Sequence, residues 1–303
     1  MVALNRLPRG LIEVSNYCAK NCYYCGIRRD NAAISRYHLT EEEVLECCRE
    51  ALRRNYPAIA LQAGEIESES NTTFYERILT SLDSLTQSNN SQSINRLIEK
   101  SINPHPSLEV TLSLGEQTEN VYRRWKIAGG DRVMRYLLRI ETSNRELYAK
   151  LHPADHSFDR RVECLRTLKR LGYVTGSGVM IGLPTQTLDD LKRDLDWFEE
   201  MDLDMIGMGP YIPAPNTPLV GTAFHRRPPD SSPLLDLSLW MISEVRRRMP
   251  HVNIVAATAL EALDPNGREK GFQAGANVYM PNLTPTKYRL NYNLYPGKTE
   301  CVQ

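Results

Sequence analysis

Leu11-Ile-Glu-Val14-Ser-Asn-Tyr-Cys18-Ala-Lys-Asn-Cys22-Tyr-Tyr-Cys25 runs from a short apolar stretch directly into a loop crowded with cysteine. Leu11–Val14 reads as a buried strand, and the cysteine-rich segment after it as the loop at its C-terminal end. A helix comes next: Thr40 is placed as an N-cap, and Glu43 completes a capping box for a helix running towards Asn55. Working outward, this strand–loop–helix order recurs. Ala58–Leu61 is the next strand, ending in Gln62-Ala63-Gly64-Glu65, and Glu109–Leu114 alternates as a strand should before Gly115-Glu116 closes it. Met134–Ile140, Val174–Ile181, Met205–Gly209, Asn253–Ala256 and Asn277–Met280 complete the strands. Amphipathic helices fill 119–128, 160–171, 188–201, 234–249 and 267–274. Such alternation requires parallel strands with helical crossovers. About eight βα units suit a (β/α)8 TIM-type barrel, with a doubly wound open sheet as the alternative. Glu65, Glu116, Glu141 and Thr258 fall at or just past strand C-termini, where barrel sites are built, and so favour the barrel.

The 303 residues read as one domain spanning 1–303, interrupted by a Ser-, Asn- and Gln-rich insertion at about 67–105 that holds one or two helices. The 37 Lys and Arg balance the 37 Asp and Glu, which argues against nucleic-acid binding driven by the phosphate backbone. No stretch approaches the roughly 18 apolar residues of a membrane helix, so no membrane partner is expected. No apolar targeting segment opens the sequence, and the expected location is the cytoplasm or another anaerobic, reducing compartment.

Seven cysteines do not spread as a disulfide framework would. Cys18, Cys22 and Cys25 crowd one loop, which points to metal. Three thiolates so spaced can wrap one face of a cubane iron–sulfur cluster and leave one iron open; a zinc site would need a fourth ligand, such as a His. Cys47 and Cys48 lie where a helix would bury one and expose the other, and Cys164 is expected to be buried.

The C-x3-C-x2-C spacing, with Tyr24 before the last cysteine and a first barrel strand ahead of it, resembles the radical S-adenosylmethionine superfamily. In that superfamily the methionine moiety of the cofactor chelates the open iron, and one-electron reduction yields a 5′-deoxyadenosyl radical. Cys25-Gly-Ile-Arg-Arg-Asp-Asn31, Thr111-Leu-Ser-Leu-Gly115-Glu116, Tyr136-Leu-Leu-Arg139-Ile-Glu141-Thr142, Gly178-Val-Met-Ile-Gly182-Leu-Pro184, Gly275-Ala-Asn-Val-Tyr-Met280-Pro-Asn282 and Tyr292-Asn-Leu-Tyr295-Pro-Gly-Lys298 further resemble the HydE family of [FeFe]-hydrogenase maturases. Biotin synthase and methylornithine synthase are similar barrels, and a radical synthase or mutase acting on an amino-acid-like substrate is the alternative.

The resemblance implies roles for particular residues. Cys18, Cys22 and Cys25 would hold a [4Fe–4S] cluster as metal ligands and catalytic centre. Tyr24, Gly64, Glu65, Glu141, Arg161, Met180 and Gly182 would contact S-adenosylmethionine. Glu65 would face the methionine ammonium, and Glu141 with Arg161 would take ribose hydroxyls or ammonium and carboxylate. Gly64 as a mere turn, Arg161 as an exposed helix residue and Met180 as core are the alternatives. Arg139, Thr258, Met280, Tyr292 and Tyr295 would line a substrate cavity. The implied substrate is a small cysteine-bound iron complex carrying CO and cyanide; the implied partners are a flavodoxin- or ferredoxin-type electron donor and the other hydrogenase maturation proteins. Thr185 and Ile66 depart from the usual glycine and acidic residue at their positions. With Cys301 alone near the C-terminus, no auxiliary cluster is expected.

Overall fold

The computed structural model describes residues 5–88, 108–220, 234–292 and 294–298. Its first half alternates β1 (Leu7–Ser15), α1 (Glu41–Arg53), β2 (Ala58–Ala63), α2 (Glu69–Ser88), β3 (Glu109–Ser113), α3 (Glu119–Ala128) and β4 (Met134–Leu137). Two helices, α4 (Arg145–Leu151) and α5 (Phe158–Arg170), then lead to β5 (Val174–Ser177) and β6 (Met180–Ile181). The rest is α6 (Leu188–Glu200), β7 (Met205–Ile206), β8 (Gly209–Pro210), α7 (Leu234–Arg248), β9 (Asn253–Ile254), α8 (Gly267–Ala274), β10 (Val278–Tyr279) and α9 (Thr286–Arg289).

Eight strands pair in parallel in the order β10-β1-β2-β3-β4-β5-β7-β9. The bridge between Val255 and Val278, with Asn277 N–H on Ile254 O at 3.0 Å, joins β9 to β10 and closes the ring. The open-sheet alternative is excluded by that closure. β6 and β8 form a separate pair above β5 and β7, so each of these expected strands is interrupted once. The interruption has a steric origin: a Cβ on Gly178 would lie 2.0 Å from Gly207 O, so only a glycine at 178 lets the two backbones pass so closely.

The Thr40–Glu43 capping box is formed as expected. Cys47 and Cys48 are both buried, which corrects the expectation that one would be exposed. The cause is α9 and its flanks, where Lys287 and Tyr288 reach Glu43 at 2.9 and 3.1 Å and cover the outer side of α1. Of the 67–105 insertion, 69–88 is helical and 89–105 lies outside the described residues. Among the described residues no helix is long and apolar enough to cross a membrane.

Candidate active site

All the parallel strands point their C-termini to one end of the barrel, and the loops there converge. The cysteine loop leaves β1 through a bulge at Val14, between the pairs Glu13–Gln62 and Ser15–Ala63. It then rests on Gly64: a Cβ there would sit 2.2 Å from Tyr17 O and 2.7 Å from Cys18 Cβ. Gly64 is therefore required by close approach, beyond any turn. Glu65 N–H and Lys20 N–H both point at Cys18 Sγ, at 3.3 and 3.4 Å. Beyond Cys25, the Arg36 guanidinium gathers the carbonyls of Asn16, Ile27 and Arg28 at 2.5, 2.9 and 2.6 Å and holds the loop's return. On the opposite flank Tyr23 N–H donates to Leu151 O at 2.9 Å and Asn21 N–H to His156 Nε2 at 3.2 Å.

Cys18, Cys22 and Cys25 are free and partly exposed. Burial of the thiol groups pushes all three up, Cys22 to about 12 and Cys25 further. Thiols so raised ionise only when a cation compensates them, and a metal cluster provides that charge. The donor set itself is three thiols on one loop, which suits the open-cornered cluster that needs three ligands.

Below the cysteines lies a buried charge network. Glu116 accepts Arg161 Nε at 2.6 Å and faces Lys20 Nζ at 3.4 Å and Arg160 Nε at 3.3 Å. Burial raises the Glu116 carboxyl, but these three cations outweigh it and hold the group below its ordinary value. Glu65 is served less well, with Lys20 Nζ at 3.2 Å, Arg161 at 4.0 Å and Glu116 N–H at 2.8 Å. Burial therefore wins and its carboxyl is raised. Glu141 is likewise raised by burial, against Arg139 and Arg161. Arg161 is only 7% exposed, so the exposed-helix alternative fails. Its partners are Glu116 and the Arg139 carbonyl (2.8 Å), while Glu141 pairs instead with Arg139 Nη2 at 2.9 Å.

That last contact is an ion pair without hydrogen-bond alignment, and Glu141 Oε2 and Arg139 Nε lack a hydrogen-bond partner. Two buried, raised carboxylates, one held only by a poorly aligned ion pair to Arg139, fit an incoming ammonium and hydroxyl groups. The residues thus suit both a cluster and an aminoacyl sulfonium cofactor.

Met180 is buried with Leu147, Leu151, Leu183 and Tyr211, and Tyr24 packs against the same apolar group. Gly182 follows at φ +81°. Of the cavity candidates, Thr258 Oγ1 and Tyr295 OH meet at 2.6 Å. Tyr292 is 1% exposed, beneath the Lys298 ammonium at 4.8 Å from its ring centre. Lys298 also pairs with the buried Glu13 of β1. Met280 is partly buried just past β10. Arg139 lies with the cofactor candidates through Glu141 and also donates to Val179 O at 2.9 Å. Sequence reasoning missed Lys20, which a cysteine loop hides as one more solvated lysine. It also left Glu116 out of the site, although its place after β3 marked it.

Residues 12–198 match the Radical SAM superfamily. The [FeFe] hydrogenase maturase subunit HydE of Thermotoga maritima is 45% identical over 97% of this chain and 74% of its own length. This chain belongs to the radical S-adenosylmethionine superfamily, in its HydE family. Members of the superfamily are enzymes that use a [4Fe–4S] cluster and S-adenosylmethionine. The 3-methylornithine synthase of Methanosarcina barkeri is 28% identical over 90% of this chain and 68% of its own. A solved methylornithine synthase superposes with TM-score 0.69 over 91% of this chain and 72% of that one, at 24% identity. The maturase HydG of Carboxydothermus hydrogenoformans gives 0.72 over 96% and 63%, at 18% identity, a likeness of fold.

Proposed function

We propose that this radical enzyme remodels a small anionic iron complex, cysteine-bound and carrying CO and cyanide, during assembly of the two-iron subcluster of [FeFe]-hydrogenase. It would take its electron from a flavodoxin- or ferredoxin-type donor and deliver its product to the other maturation proteins. The cluster and its cofactor, when bound, supply an adenosyl radical; the residues of this chain bind, aim and shield. Cys18, Cys22 and Cys25 hold the cluster, with the Glu65 and Lys20 amides aimed at Cys18 Sγ. Glu65 receives the methionine ammonium, exchanging part of its contact with Lys20 for it. Arg161, fixed by Glu116, takes the carboxylate, and Glu141 accepts from the ribose. Tyr24 and Met180 close an apolar wall that keeps water from the reacting centre.

The observation that carries the substrate reading is the Arg139 side chain, 34% exposed beside the buried Glu141, with Nε unpartnered. A guanidinium with spare donors at the edge of the cofactor site suits an anion better than a neutral group. The second reading, an amino-acid-like substrate, is favoured by the likeness to 3-methylornithine synthase. Arg139→Leu is expected to spare cluster assembly, to weaken cofactor binding through Glu141, and to stop hydrogenase activation in a maturation assay even where saturating S-adenosylmethionine restores cofactor cleavage. Normal activation by that variant would shift the assignment to the amino-acid reading.

A further inference from the structure

Two turns at the rim carry the adenosine-side candidates. One holds Glu141, whose φ is +67°, a conformation that L side chains adopt only when their surroundings impose it. The other holds Met180 and Gly182. They touch through Glu141 N–H on Gly178 O and Met180 N–H on Glu141 O, both at 3.0 Å. The first is held by side chains of α6, the second by Gln186 just ahead of that helix.

Asp194 Oδ1 accepts Ser143 N–H at 2.7 Å and Ser143 Oγ–H at 2.6 Å, two residues beyond Glu141. Asp190 Oδ1 accepts from Asn144 Nδ2 at 2.7 Å, and Asn144 in turn caps α4. Gln186 Oε1 accepts the N–H groups of Gly182 and Leu183 at 2.7 and 3.1 Å, while its Nε2 donates to Met180 O at 3.0 Å. Asp194 is fully buried and its Oδ2 has no partner. An aspartate so placed is poorly served as a stabiliser of the fold, since a buried charge wants every lone pair satisfied.

We infer that Asp194 and Gln186 are positioning residues for S-adenosylmethionine: Asp194 ties the turn after β4 to α6, Gln186 closes the turn after β6 on itself, and together they hold Glu141 and Met180 where the adenosine moiety is received. The inference rests on the cofactor contacts proposed above. Neither side chain is proposed to touch the cofactor; each acts through a turn that does.

The test titrates S-adenosylmethionine into reduced, cluster-loaded protein and follows the change it causes in the electron paramagnetic resonance signal of the cluster. Asp194→Asn keeps the shape but removes the charge behind two hydrogen bonds. Gln186→Glu keeps the acceptor but turns the Met180 donor into an acceptor. Each is expected to raise Kd about 3- to 30-fold, the range of coupling through a packed network, with signal intensity unchanged. Ser143→Ala, which keeps the backbone donor, loses less. In Asp194→Asn/Glu141→Gln the loss is expected to be no greater than in Glu141→Gln alone, because Asp194 works through Glu141.

Wild-type affinity in both Asp194→Asn and Gln186→Glu, while Glu141→Gln binds weakly, overturns the inference and leaves the cofactor reading standing. Additive losses in the double variant also overturn it. So does loss of the cluster in both Asp194→Asn and Ser143→Ala, since the clamp would then serve the barrel alone. Normal binding by Glu141→Gln is a different result: it removes the cofactor contact on which the inference stands.

Discussion

The two halves of the barrel are built differently. From β1 to β4 the strands are nine, six, five and four residues long, and β1 matches β2 at six positions and β2 matches β3 at five. From β6 onward every strand has two residues, and β5–β7 and β7–β9 each match at two positions. The first half hangs its functional groups from a long backbone ladder: Glu65 and Glu116 follow regular strand ends, and the cysteine loop follows the bulged end of β1. The second half is stitched by side chains. Gln186 and Asp194 hold two turns, and Asn277 Oδ1 accepts Ile254 N–H at 2.8 Å where the barrel closes. The cluster end thus starts from long backbone ladders, with Arg36 closing its loop, while the adenosine and substrate end depends more on individual side chains. Long-ladder geometry tolerates substitution on its faces; side-chain staples do not.

The largest expected effect tests the charged floor of the regular half. Glu116→Ala leaves the buried Arg161 guanidinium without its main partner. Breaking a buried pair by removing one member costs about 3–5 kcal/mol, so denaturant unfolding should show a loss of that order. A loss under about 1 kcal/mol would mean that the backbone ladder carries the floor unaided and Glu116 is replaceable.

Next come the two raised carboxylates, one from each kind of framework. Glu65→Gln and Glu141→Gln should each assemble the cluster and bind S-adenosylmethionine about ten- to a hundredfold more weakly, the equivalent of one charge-assisted hydrogen bond. Cofactor titration measures both. Unchanged affinity in both removes them from the site.

The smallest effect concerns a staple and pH. Burial, helped by the nearby Asp190 carboxylate, pushes the Asp194 carboxyl up to about 7, against the two Ser143 donors and, more weakly, Arg193. An unfolded Asp titrates near about 3.9, so the folded state binds this proton more tightly and stability falls as pH rises between those values. The penalty is absent at low pH and complete above about 7. Asp194→Asn never carries it. The melting temperature of the variant minus that of the wild type should therefore be more positive at about pH 8 than at about pH 5. A difference independent of pH would show that the Ser143 donors already satisfy the charge.

The same contrast explains what the sequence made legible. Residues of the regular half announce themselves, because strand periodicity ends on Gly64-Glu65 and Gly115-Glu116, and cysteines at C-x3-C-x2-C spacing have few structural uses. The start of β1 was hidden by Arg9, which is 3% exposed among barrel residues and donates to Met205 Sδ at 2.8 Å. A charged residue inside a strand breaks the alternation that reveals it. Helix α4 went unread because seven residues offer too few turns for a period. The Arg139–Glu141 pairing was hidden as well: residues two apart on a strand share a face, but the positive φ at Glu141 redirects its chain, and no local pattern records that. Lys20 and Asp194 act across 45 and 51 residues on Glu65 and Ser143, separations that only the closed barrel brings together.

The chemistry stands on the three cysteines acting as one centre. The most direct measurement is anaerobic iron loading of the wild type and of Cys18→Ala, Cys22→Ala, Cys25→Ala and Cys164→Ala, followed by reduction, paramagnetic resonance and assay for 5′-deoxyadenosine. The wild type and Cys164→Ala should show a reduced [4Fe–4S] signal that changes on adding S-adenosylmethionine, and should form 5′-deoxyadenosine; the other three should show neither. A Cys18→Ala protein that still holds four irons and cleaves the cofactor would contradict the central claim.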